Sequence, residues 1–204
     1  MTDALRCEPI ANLRQRAVKC ALTRLERHGE DGLSLRAIAA DLGTGVGSLY
    51  YHFASKEALL AELAVDGFRE LERWMAIAPA AQSQRTPFNA AGHAYLGFIR
   101  HRPELYALMF SERLRARHEQ VRRAEAGAFE VFRASLENLG VPEAEVADLA
   151  FTFWALGRGI ASAAYSRGDR EPGADKPIVQ RVLRGLSTLT NQSLAFLAPT
   201  RQAA

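Results

Sequence analysis

The sequence predicts an all-α protein of about nine helices, in which a three-helix helix-turn-helix lobe is joined by a long shared helix to a second helical bundle. Three observations carry this. Apolar residues recur at three- and four-residue intervals over most of the chain, the alternating Val/Ile/Thr-rich runs that mark strands are absent, and glycine or proline stands at the ends of the periodic segments. The 48% hydrophobic content of 204 residues is enough to fill a core. No internal repeat and no low-complexity segment interrupts the pattern.

The first helix runs from about Ile10 to His28, with Leu13, Ala17, Ala21 and Leu25 on one face and Gly29 as its stop. Ser34 is an N-cap type and opens the short helix LRAIAADL, which ends at Gly43. The turn Gly43-Thr44-Gly45 leads into a second short helix over about 46–53, and Ser55 caps a long helix over about 56–76 with Leu59, Leu60, Leu63, Phe68 and Leu71 as its apolar stripe. Pro79 and the polar AAQSQRTP mark a linker near residues 79–87. Five further helices follow, over about 88–101, 103–110, 112–139, 143–166 and 177–197, separated by Pro103, by Gly140 with Pro142, and by the loop SRGDREPGADKP. The organisation expected is a lobe over residues 1–55 and a second over 56–204, the latter for ligand binding and dimerisation.

The stretch LGTGVGSLYYHFASKEALL, residues 42–60, places three closely spaced glycines before four consecutive rings, which neither a core helix nor a loop calls for. Two short helices joined by a tight glycine turn, covered by a preceding helix, form a helix-turn-helix. Gly43 supplies the positive φ of the turn and Gly45 stands where the second helix needs its cap. Gly47 removes a side chain where backbone must approach a phosphate or base edge closely. With that helix in a major groove, Thr44, Val46 and Ser48 face base edges. Tyr50, Tyr51 and His52 flank the groove as donors to phosphates, joined by Lys56 and by Ser34 and Arg36 from neighbouring helix starts. Leu49 and Phe53 are core by their spacing, and the competing role for Tyr50 or Tyr51 is half-buried packing.

SLRAIAADLGTGVGSLYYHFASKEALL resembles the DNA-binding signature of the TetR family of bacterial transcriptional regulators, roughly T/S-x-x-x-IA-x-x-LGVS-x-G-x-LY-x-HF-x-x-K-x-x-L. Ser34, Ile38-Ala39, Leu42-Gly43, Gly47, Leu49-Tyr50, His52-Phe53 and Lys56 match, while Thr44-Gly45 replaces the usual Val-Ser and removes its hydroxyl cap. The segment RPELYALMF and Trp154–Gly159 also resemble a subgroup with a W-x-x-x-H-G motif, with Arg158 in the histidine's place. The resemblance implies a homodimer that reads a quasi-palindromic double-stranded operator, and a second lobe that binds a small effector and releases DNA. A repressor is the form of regulator expected; the alternative is a helical ligand sensor or sequestering protein that no longer reads DNA.

In the second lobe Tyr95, Tyr106, Met109, Phe110, Phe129, Phe132 and Trp154 supply rings and soft packing for an effector pocket, although helical spacing alone makes such residues core. Arg158, a charge in an apolar helix, reads either as a counter-charge for an anionic ligand or as a salt-bridged or solvent-reaching side chain. Gly157, Gly159 and Ala161 give the helix over 143–166 small faces, which with the apolar stripe of 177–197 suit a four-helix dimer interface. The basic run ERLRARHEQVRR reads as a solvated face.

The formal net charge, 26 − 23 = +3, is compatible with a polyanionic partner without demanding one. Cys7 and Cys20 are too few to frame a disulfide scaffold, and neither a signal-peptide core nor a spanning segment is evident, so the protein is expected in the cytoplasm, away from membranes. No metal, cofactor or catalytic role is expected: zinc spacing, G-x-S-x-G, P-loop and dinucleotide fingerprints are all missing.

Overall fold

The computed structural model describes residues 10–81, 86–137, 140–164, 181 and 184. Among them it is all-helical: α1 (Ile10–His28), α2 (Leu35–Asp41), α3 (Val46–His52), α4 (Lys56–Ala81), α5 (Pro87–His101), α6 (Pro103–Met109), α7 (Glu112–Arg117), α8 (Glu119–Ala134) and α9 (Glu143–Ala164). The expected final helix over 177–197 lies outside the described residues, apart from the helical Arg181 and Arg184. The chain divides into two compact units, Met1–Ala150 and Phe151–Ala204.

Within the first unit α4 is the common element, packing against α5, α6 and α8 and also meeting α1 and α7. Its side chains explain this. Leu59, Leu60, Leu63, Phe68, Leu71 and Met75 are at most 1% exposed, so the helix is buried on more than one face. Gly67 sets the approach of α6, because a Cβ there would lie 2.7 Å from the sulfur of Met109 and 3.1 Å from Cγ of Leu105. The lobe of α1–α3 closes on its own small core of Ala17, Ala21, Leu25, Ile38, Ala39, Leu49 and Phe53, as their spacing requires.

Two boundaries differ from the sequence's expectation. The segment 112–139 is not one helix: it breaks at His118, whose φ of −121° and ψ of 102° are extended, and the following helix ends at Ala134. Arg122 explains the break, because its guanidinium donates to the carbonyls of Arg115 (2.5 Å) and Ala116 (3.4 Å), supplying partners at the end of α7 that the next helical turn would otherwise provide. Conversely α4 continues through Pro79 to Ala81. A proline in the last turn forfeits a single main-chain bond, and the helix persists beyond it.

Replacing Phe68 by Ala removes a fully buried ring at the centre of this packing. It should lower stability by about 3–5 kcal/mol, read as a shifted denaturant midpoint.

Candidate nucleic-acid interface

The interface is built from the turn outward. Leu42 caps α2 in the right-handed helical region and Gly43 follows at φ +64°. The Gly43 N–H donates to the Ala40 carbonyl (3.2 Å) and the Thr44 N–H to the Ala39 carbonyl (3.0 Å), which is the paired pattern of a Schellman stop. The turn therefore satisfies the last carbonyls of α2 while redirecting the chain into α3. Gly45 stands at the N-cap of α3 in extended geometry, and no side chain caps the helix. That is the consequence expected from the missing serine.

The first turn of α3 consequently presents bare backbone. A Cβ on Gly45 or Gly47 would meet nothing within 4 Å, so the packing of the chain itself gives no reason for glycine at either place. Thr44 and Val46 are partly exposed and Ser48 is exposed beside them. Tyr50 is 55% exposed and Tyr51 82%, so neither ring is enclosed in the core. His52 is half-buried, edge-on to Tyr51 at 5.3 Å between ring centroids and to Phe53 at 6.4 Å.

The remaining nominated groups divide. Ser34 Oγ accepts from the Ala37 N–H at 3.1 Å, capping α2, which leaves its own O–H as a donor on an exposed residue. Arg36 is exposed. The Lys56 ammonium donates to the Glu30 carbonyl at 2.7 Å, tying the start of α4 to the loop before α2. One of three N–H donors is thereby used, so the charge stands anchored beside the lobe rather than extended from it.

Arg14 is a positioning residue that sequence reading missed. Its guanidinium lies 5.6 Å from the centroid of the Phe53 ring and 2.5 Å from a Glu62 carboxylate oxygen, linking α1, the end of α3 and α4. Burial raises the Glu62 carboxyl despite Arg14 beside it. Further along α1, Arg24 binds Asp41 at 2.7 Å and holds its carboxyl below the ordinary range. No local pattern in the sequence marks contacts spanning tens of residues.

In the second part of the molecule the nominated aromatic residues form a connected chain of rings. Phe68 meets Phe110 (5.2 Å), Phe110 meets Tyr106 (4.7 Å), Tyr106 meets Tyr95 (6.0 Å), and Tyr95 meets Phe132 (6.5 Å). The Tyr95 and Tyr106 hydroxyls lie 2.6 Å apart in a hydrogen bond buried within that chain. Met109 is fully buried, and Phe129 packs against the cluster of Leu136, Val146 and Ala150. Trp154 is buried and Arg158 partly exposed, both in the second unit. A cleft of about 620 Å³ lies elsewhere, between α1 and α4, lined by Arg14, Gln15, Val18, Glu62, Asp66 and Arg69 among others. None of the nominated aromatic residues lines it.

A glycine-turned pair of short helices with exposed rings, carried on a long buried helix, defines a helix-turn-helix protein of the helical-bundle class. The family model of bacterial regulatory proteins of the tetR family matches residues 18–63, and the model of the tetracyclin repressor-like C-terminal domain matches residues 88–186. The chain belongs to the TetR family of transcriptional regulators, with a DNA-binding helix-turn-helix domain. It is 27% identical over 147 residues to an HTH-type transcriptional regulator of Mycobacterium tuberculosis, covering 72% of this chain and 67% of that one. A solved Rhodococcus structure superposes with a TM-score of 0.67 at 27% identity, covering 86% of this chain and 92% of its own. A TetR regulator from Legionella pneumophila shares the fold, with a TM-score of 0.62 at 18% identity over 88% and 96% of the two chains.

The turn makes a direct prediction. At φ +64° and with no neighbour within 4 Å of a would-be Cβ, Gly43→Val is opposed by backbone conformation alone. It should cost about 1–3 kcal/mol in thermal or denaturant unfolding. Gly43→Asn, which tolerates the left-handed region, should cost clearly less.

Proposed function

We propose that the protein is a ligand-responsive homodimeric regulator that binds a quasi-palindromic operator sequence-specifically, as a repressor that a small molecule releases. The observation that carries the reading is the bare first turn of α3: Gly47 has open space around it while exposed Tyr50 and Tyr51 stand one turn further along. In this reading Thr44, Val46 and Ser48 address base edges, and Gly45 and Gly47 admit the DNA backbone closely. Tyr50, Tyr51, His52, Ser34 and Arg36 donate to phosphates, with Lys56 contributing a nearby charge.

Residues 1–55 then read DNA, and residues 56–204 bind the effector and dimerise. The ring chain supports the effector role because it reaches α4: Phe110 touches Phe68, so a molecule entering among Tyr95, Tyr106, Met109, Phe110 and Phe132 displaces groups packed on the helix that begins at Lys56. Phe129 remains a candidate for its outer contacts; Trp154 and Arg158, in the second unit, remain ligand-binding candidates of that unit by themselves. Such a molecule acts only if it prefers one arrangement of α4 over the other. For the dimer, α9 exposes Phe151 (67%), Ala155 and Gly159, an apolar and small-residue face that fits a helix-to-helix contact; Gly157 and Ala161, also nominated for it, are buried. A twofold dimer would set two recognition helices about 34–36 Å apart, one DNA turn.

Gly47→Ala tests the reading because stability and binding should move in opposite directions. Alanine in an uncrowded helical position should stabilise the free protein by up to about 1 kcal/mol. Affinity for an operator selected from genomic fragments should fall at least tenfold. A variant that is more stable and binds DNA as the parent does would remove the proposed approach of backbone to DNA at this turn.

A further inference from the structure

The cations of the described residues are not distributed evenly between paired and unpaired states. Beyond α5 six arginines are held by acids, as Arg14 and Arg24 are in α1: Arg102 by Glu26 and Glu70, Arg113 by Glu30 and Glu57, Arg115 by Glu112 and Glu125, Arg117 by Glu57, Arg123 by Glu119, and Arg133 by Glu130 and Glu137. In the helix-turn-helix lobe Arg16, Lys19, Arg27 and Arg36 are exposed, and none of them binds a carboxylate or carbonyl among the described residues. Glu26 is the sole acid of α1, and Arg102 engages it from another helix.

Three of these four cations share one helical face. Arg16, Lys19, Thr23 and Arg27 follow each other at three- and four-residue steps, and all four are exposed. The row is about 16 Å long at 1.5 Å per residue. Its position round the helix is set by α2: Cys20 Sγ lies 3.5 Å from Asp41, the last residue of α2, and Arg24 binds the same carboxylate. Arg16 and Arg27 are within about 40° of Cys20 on the helix, and Lys19 about 100° from it. The row therefore borders the end of α2, where Gly43 turns the chain into α3, and not the opposite flank of α1, where Arg14 and Val18 line the cleft against α4.

An unopposed row of cations on the lobe that carries a recognition helix is the electrostatic footprint of a polyanion. DNA supplies a charge about every 3.4 Å of axis on each strand, so a row of this length runs alongside several phosphates. We propose that Arg16, Lys19 and Arg27 form a second contact surface for the DNA backbone, outside the helix-turn-helix motif, which holds the duplex flanking the site read by α3. It supplies sequence-independent affinity only: point charges on flexible stems meet phosphates and carry no base information. The inference rests on the DNA-binding reading above.

The test measures binding of the full-length protein to a short duplex of arbitrary sequence and to an operator fragment, between about 50 and 200 mM salt. In Arg16→Gln/Lys19→Gln/Arg27→Gln the slope of log affinity against log salt should flatten by two to three, since each phosphate contact contributes about 0.9. Both duplexes should weaken by the same factor, leaving the operator preference unchanged. Arg16→Lys/Arg27→Lys should restore the slope, and neutralising the exposed Arg73 and Arg100 of α4 and α5 should leave it alone. If the folded triple variant keeps the parental slope while Gly47→Ala weakens binding, the α1 surface is wrong and the α3 reading stands. If neither variant alters binding, both fall. Equal flattening on neutralising Arg73 and Arg100 would also overturn the proposal, because the effect would then be one of total charge.

Discussion

Burial of α4 along nearly its whole length is the constraint on which the other elements depend. Leu59 and Leu60, within a turn of its start, are fully buried, and so are Phe68 and Leu71 further along. A helix with apolar residues on one stripe could serve one neighbour; this one serves α5, α6 and α8 together, and α1 and α7 besides. Protein interiors are close-packed, so such a helix shifts as a body or not at all. The pieces that touch it inherit that rigidity. Gly67 admits Met109 and Leu105 of α6 at close range, and Glu62 holds Arg14 of α1, which in turn lies over Phe53 at the end of α3.

Charge is arranged around that frame in two different ways. Glu57, in the first turn of α4, receives Arg117 at 3.4 Å, Arg113 at 3.9 Å and the His118 ring at 3.4 Å, while Glu30 binds Arg113 and its carbonyl takes Lys56. These contacts are partly exposed, where single ion pairs contribute little, but several share the same acids and together they fix the start of α4 against α7 and the loop before α2. The basic run 112–123 is largely exposed, as its composition marks it; from it Arg113 reaches Glu30 in the loop before α2 and Arg117 reaches Glu57, while Arg115 and Arg123 pair with acids of α7 and α8. Charge on the outer face of α1 has no such duty.

What could be read from the sequence is what is decided locally. Gly43 is marked as the turn because the chain there needs φ +64°, which glycine adopts freely, and the oxygens of Ser34 and Ser55 cap the helices that follow them at 3.1 Å each. Those signals span four residues or fewer, so the sequence carries them openly. The exposure of Tyr50 and Tyr51 followed from their place between Leu49 and Phe53, whose burial turns the intervening ring positions outward. The break at His118 was hidden because no proline or glycine marks it; it is made by Arg122 reaching back to two carbonyls. The tie of Lys56 to a carbonyl 26 residues earlier leaves no local trace in the sequence. The ring chain is legible as composition, but its order comes only with packing.

That order bears on how the two ends of α4 would communicate. The chain of rings from Phe132 through Tyr95 and Tyr106 to Phe110 ends on Phe68, and it contains one polar pair, the two tyrosine hydroxyls 2.6 Å apart. A buried hydroxyl that loses its partner is penalised by its full desolvation, about 1–3 kcal/mol, whereas a ring that slides against another loses far less. On the proposed reading, an effector that separates Tyr95 from Tyr106 must therefore replace the hydrogen bond it breaks. A purely apolar molecule would leave the pair intact and push on Phe110 and Phe68 instead. Either route delivers its displacement to α4, because among the rings of this chain Phe68 is the one that α4 itself carries.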